Sequence, residues 1–173
     1  MCDSNLEDIS FNIRKIEYGW IFAEISTQKG EIVLVNSYLG GLQMSKTFLS
    51  ILTELLPETD TQSRWLCWHG ENNSYIWHFE TDGQTLILHI YEGGCSFGLP
   101  LQGDDLQKQS ESADLLLKVK TLLYPFSLSV CNAIKEYSYG KGYEKWQNSQ
   151  YKNTFPRDEY QKLRRILRNA GYK

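Results

Sequence analysis

The chain opens on alternation. Across 9–17 (ISFNIRKIE), Ile9, Phe11 and Ile13 fall on one side and Ser10, Asn12 and Arg14 on the other, the period-two pattern of a half-buried strand. The apolar phase slips at Lys15–Ile16, which predicts a bulge. After Tyr18-Gly19 a second strand runs over 20–26 (WIFAEIS), and Gln28-Lys29-Gly30 turns into a third, 31–36 (EIVLVN). Connections this short permit only an antiparallel meander. The period then changes. Phe48, Leu49, Leu52, Leu55 and Leu56 form a stripe opposite Ser45, Lys46, Ser50, Thr53 and Glu54, so 42–56 is a helix with one buried face, and Pro57 ends it.

Two further strands, 64–69 and 74–81, flank Gly70-Glu71-Asn72-Asn73, and Asp82-Gly83 is a hairpin signal leading into 84–91, where Leu86, Leu88 and Ile90 share a face. Gly93-Gly94, Gly98, Pro100 and Gly103 break up 92–113, and the polar stretch 102–113 reads as a mobile loop. Residues 114–122 alternate as a seventh strand, with a helix as the alternative. Pro125 suits a first helical turn, and Phe126, Val130, Ile134 and Tyr137 follow at helical spacing up to Gly140. Residues 142–146 (GYEKW) read as a short turn or helix and 148–154 as a polar linker. A last helix starts at Pro156, with Asp158 and Glu159 early and Arg164, Arg165 and Arg168 late, the order the helix dipole favours. The pattern predicts one α+β domain over 1–173: an antiparallel sheet of about six or seven strands, two meanders around one helix, with helices packed on one face. Its helical C-terminal segment covers about 124–170.

Composition adds an asymmetry. Residues 1–110 hold 15 acids and 6 bases, a net of −9, whereas residues 111–173 hold 6 acids and 12 bases, a net of +6. Such a split can mark a partner surface. The basic residues of the tail (Lys152, Arg157, Lys162, Arg164, Arg165 and Arg168 among them) suit a phosphate backbone, but a pI near 5.6 and the absence of a nucleic-acid motif rank that reading third. No basic segment leads into an apolar run at the N-terminus, and no stretch approaches a membrane span. Cys2, Cys67, Cys95 and Cys131 are scattered without a C-x-x-C, the usage of reduced thiols in a cytoplasm.

The most distinctive patch is 64–80, with three of the five tryptophans and two of the three histidines. His69-Gly70-Glu71 and His78-Phe79-Glu80 are both H-x-E. The P-C-x-x-C that would complete a zinc deaminase is missing, as are a nucleophile elbow, a phosphate-cradling loop and a dinucleotide fingerprint. Cys67, His69 and Glu71 invite a metal reading, and a Cys–His pair a nucleophilic one, but neither has its remaining parts. No catalytic residue, metal ligand or cofactor is therefore assigned. Trp68, Glu71, Tyr75 and Trp77 are the partner-binding candidates. Trp65, Tyr75 and Trp77 are expected on the helix-covered face and Trp68 on the other, where an uncovered aromatic would anchor a partner.

The order Tyr18-Gly19-Trp20, Ser37-Tyr38-Leu39, then W-x-G-E-x-x-x-Y-x-W (Trp68, Gly70, Glu71, Tyr75, Trp77), Gly142-Tyr143 with Trp146, and Phe155-Pro156 resembles a family of small bacterial cytoplasmic proteins, similar to the immunity proteins of polymorphic toxin systems. The chain departs from it at Asn72-Asn73, where the family tends to carry Pro-Gly, and in 102–113. The resemblance implies a non-enzymatic, cytoplasmic protein that neutralises a cognate toxin; separately, the acidic charge of 1–110 would suit a basic toxin by electrostatic steering. It carries over no catalytic residue. The alternative is a small enzyme or ligand-binding protein using His69, Glu71 and His78.

Overall fold

The computed structural model describes residues 5–18, 20–36, 41–57, 59–70, 74–93, 103–149 and 155–172. Strands β1 (Ser10–Glu17), β2 (Trp20–Thr27) and β3 (Gly30–Asn36) form a three-stranded antiparallel sheet in that order. Helix α1 (Gly41–Leu55) leads to β4 (Gln62–His69), β5 (Ser74–Thr81) and β6 (Thr85–Glu92). Helix α2 (Gly103–Ser110) precedes β7 (Asp114–Leu122), which completes a second antiparallel sheet of order β4-β5-β6-β7. Helices α3 (Leu123–Lys135), α4 (Gly140–Ser149) and α5 (Arg157–Asn169) end the chain.

The fold is α+β and the two meanders are present, but they are two sheets and not one of six or seven strands. β3 and β4 touch without a hydrogen-bonded ladder between them. Each sheet has one apolar face, and both faces enter the same core with α1, α3 and α5. Phe11 of β1 meets Phe48 of α1 at 5.3 Å and Trp68 of β4 at 6.4 Å between ring centroids, which ties the two sheets through the helix. The predicted bulge lies between Ile13 and Lys15. It resets the strand's parity, so Ile16 returns to the interior beside Phe11 and Ile13. A second irregularity, opposite Ile90/Tyr91, places Leu116 as an extra residue on β7 and leaves Leu115 and Leu116 exposed.

Gly103–Ser110, within the expected loop, is helical, and the short turn or helix expected at GYEKW is a helix over Gly140–Ser149. Gly142 explains why that motif starts with glycine, since a Cβ there would lie 1.9 Å from the carbonyl oxygen of Glu136. The turn this allows brings Trp146 into the core against Tyr137 and Phe155. The helices do not share one face. Helix α2 packs on β4 from the opposite side, with Gly103 at Trp65. Cys67 is disulfide-bonded, whereas Cys131 is a free buried thiol. This corrects the reading of four reduced thiols, and such a bond is the habit of oxidising compartments. Among the described residues no helix is long and apolar enough to cross a membrane.

Candidate metal centre

The hairpin β4–β5 pairs His69 with Ser74, Trp68 with Tyr75, Leu66 with Trp77 and Trp65 with His78. Paired residues share a face. Trp68, Tyr75 and Trp77 therefore point together into the core, where they are 2%, 7% and 0% exposed. Trp68 and Trp77 stack at 5.3 Å, and Phe48 lies 5.9 Å from one and 5.3 Å from the other. The expected division, with Trp68 outside and Trp65 inside, is reversed. These three partner-binding candidates offer no free ring, and Glu71, the fourth, lies outside the described residues. The W-x-G-E-x-x-x-Y-x-W pattern thus supplies core aromatics.

The other face of the second sheet carries the polar chemistry. The Asp82 turn fixes the β5–β6 register: its carboxylate accepts hydrogen bonds from the N–H groups of Gln84 (2.9 Å) and Thr85 (2.7 Å) and from the Thr85 hydroxyl (2.9 Å). Gly83 takes the positive φ of +88° that the turn needs. These backbone hydrogen bonds, Thr85 first, hold the Asp82 carboxyl below its usual range despite a small opposing burial effect. The resulting ladder sets Trp65, His78, His89 and Lys118 in one row across β4, β5, β6 and β7. Glu80, two residues after His78 on β5, shares that face.

One donor atom from each of His78, Glu80 and His89 lies within 4.8 Å of the other two. His78 Nδ1 is 3.4 Å from a Glu80 oxygen, and its Nε2 is 2.8 Å from the Ser63 hydroxyl. Trp65 lies flat on the His78 ring at 3.7 Å and 8°, and the His89 ring is stacked 5.5 Å away on the other side. His89 Nδ1 is buried and has no hydrogen-bond partner. Burial pushes both imidazoles below their usual pKa. Nearby Glu80 opposes this in each; His89 adds to it for His78, and Lys118 for His89. Both rings are thus neutral near pH 7 and able to donate a lone pair. His69 shares the outer face but lies further along β4, beside Cys67 Sγ at 3.5 Å, and burial lowers its pKa too. The sequence grouping of His69, Glu71 and His78 is therefore split, and His78 joins Glu80 and His89 instead.

His89 escaped sequence reasoning, although a signal existed. Leu86, Leu88 and Ile90 face inward, so His89 must face outward, and a two-residue turn pairs it with the outward residues of β5. The chain matches no family model, and no curated protein or solved structure is significantly similar to it.

Proposed function

We propose that this chain is a metal-binding protein that holds one first-row divalent cation of the zinc class at His78, Glu80 and His89. The observation that supports it best is that one ligand atom from each of His78, Glu80 and His89 lies within 4.8 Å of the other two, while Nδ1 of His89 is buried without a hydrogen-bond partner. An unsatisfied buried nitrogen costs about 1–3 kcal/mol, and a bound cation would remove that cost. Imidazole and carboxylate together suit zinc and its neighbours. Ligand atoms about 2 Å from zinc stand roughly 3.3 Å apart in a tetrahedron, so the set would close slightly, and the partly exposed Glu80 is the arm free to move. Ser63 would hold the second nitrogen of His78, the outer-shell contact that orients a ligating ring. Three protein ligands leave a fourth position for water or a substrate oxygen. Lys118, opposite His89, favours an anion in that position. The test is cobalt(II) titration of the chelator-treated full chain. A visible absorption band that saturates at one equivalent and is lost in His89→Ala is expected. No band, or one unchanged in His89→Ala, would remove the reading.

A second reading, an immunity-like protein that occludes a basic toxin, is supported by the acidic balance of 1–110, net −9. It no longer draws on Trp68, Tyr75 or Trp77. A stoichiometric partner retained from the source cell at low salt and released at high salt is its expected result; a retained partner indifferent to salt would count against it.

A further inference from the structure

A cavity lies away from the metal centre, between α3 and α5, with a volume of about 400 Å³. Its floor is apolar: Cys131, Tyr160 and Leu167 are 4%, 4% and 1% exposed. Its mouth carries Lys135, Arg164 and Arg168. None of these three cations forms an ion pair among the described residues, where the paired bases are Arg14, Lys15, Lys29, Arg64 and His78. Arg164 and Arg168 are one helical turn apart, so both reach the same opening from α5, while Lys135 faces them from α3. Three like charges around one opening repel each other, and an anion seated there would relieve the repulsion.

We propose that this cavity binds a small organic anion, a carboxylate or phosphate monoester on an apolar body. The volume falls within the range of small-ligand sites, which pair an apolar lining with a few convergent polar groups. Guanidinium groups grip planar or tetrahedral oxyanions through paired N–H donors. A buried apolar floor under the charges favours a compact ligand over a polynucleotide, which would track an extended basic groove. The site is independent of the metal centre.

The probes are 1-naphthoate, 1-naphthyl phosphate, uncharged 1-naphthylmethanol and inorganic phosphate, titrated calorimetrically into the full chain. One or both naphthyl anions should saturate at one per chain, with the alcohol and inorganic phosphate each at least about tenfold weaker. The better anion identifies the head group. The Arg164→Gln/Arg168→Gln double variant should lose about tenfold or more, while Lys162→Gln, on the same helix but outside the cavity, should bind as wild type. Urea unfolding of each variant verifies that it is folded. Equal binding of the alcohol, no saturable binding of either naphthyl anion, or an unweakened folded double variant would overturn the proposal. So would binding of oligodeoxythymidine in preference to both naphthyl anions.

Discussion

Replacing Trp68 separates an interior role from a partner-contact role. Its side chain is 2% exposed and meets Phe11, Phe48 and Trp77 at 6.4, 5.9 and 5.3 Å. Truncating a buried tryptophan to alanine costs about 3–5 kcal/mol, because burial is lost and a cavity remains. Three aromatic neighbours, each adding about 0.5–1.5 kcal/mol beyond area, place Trp68→Ala in the upper part of that range. Trp68→Phe should be far milder. It keeps an aromatic ring against the three neighbours and removes an indole N–H that is buried without a hydrogen-bond partner. Relief of that unsatisfied donor, about 1–3 kcal/mol, offsets much of the lost volume, so a net cost of about 1 kcal/mol or less is expected. Equilibrium urea unfolding reads both variants. With a slope of about 2 kcal/mol/M, Trp68→Ala should lower the midpoint by about 2 M at unchanged slope, and Trp68→Phe by about 0.5 M or less. An alanine variant within about 0.5 kcal/mol of wild type, as surface substitutions are, would refute the core orientation of the hairpin.

Other substitutions test other parts of the account. Gly142→Ala drives a methyl group into the Glu136 carbonyl and should cost about 2 kcal/mol or more by thermal or urea unfolding. Gly140→Ala, with open space but φ +57°, should cost only about 1–2 kcal/mol. Arg14 pairs with buried Glu24 and, at 2.6 Å, with exposed Glu31. Arg14→Ala should therefore cost about 1–3 kcal/mol by leaving a buried carboxylate short of a partner, against about 0.2–1 kcal/mol for Glu31→Ala; equal losses would contradict that ranking. Trp65→Ala, which uncovers the His78 ring, should weaken cobalt binding more than it lowers stability, judged by titration beside unfolding.

What local pattern controls was legible in the chain. The alternation of Ile9, Phe11 and Ile13, the slip at Lys15 and the stripe from Phe48 to Leu56 each depend on neighbours a few residues away, and each appears where the periodicity placed it. Whether two meanders merge is different. It depends on whether β3 and β4 hydrogen-bond across α1, and nothing local encodes that. The polar stretch 103–110 hid a helix because α2 buries little beyond Leu106 and Ser110, too few residues for a visible stripe. At the site the error was one of parity. The four-residue loop 70–73 pairs His69 with Ser74 and so puts Trp68 with Tyr75, whereas grouping Trp65 with Tyr75 requires an odd loop. The same parity, carried through the Asp82 turn, turns His78, Glu80 and His89 outward together. His78-x-Glu80 stood out as a motif. His89 did not, because its meaning lies across a strand pair and not along the chain.

The metal centre is tested most directly by zinc titration calorimetry on the chelator-treated full chain, alongside His89→Ala and His69→Ala. The account predicts one zinc per chain with a Kd in roughly the micromolar range or below, at least about tenfold weaker binding in His89→Ala, and unchanged binding in His69→Ala. Absence of saturable binding by the wild-type chain, or a loss that follows His69 and not His89, would contradict it.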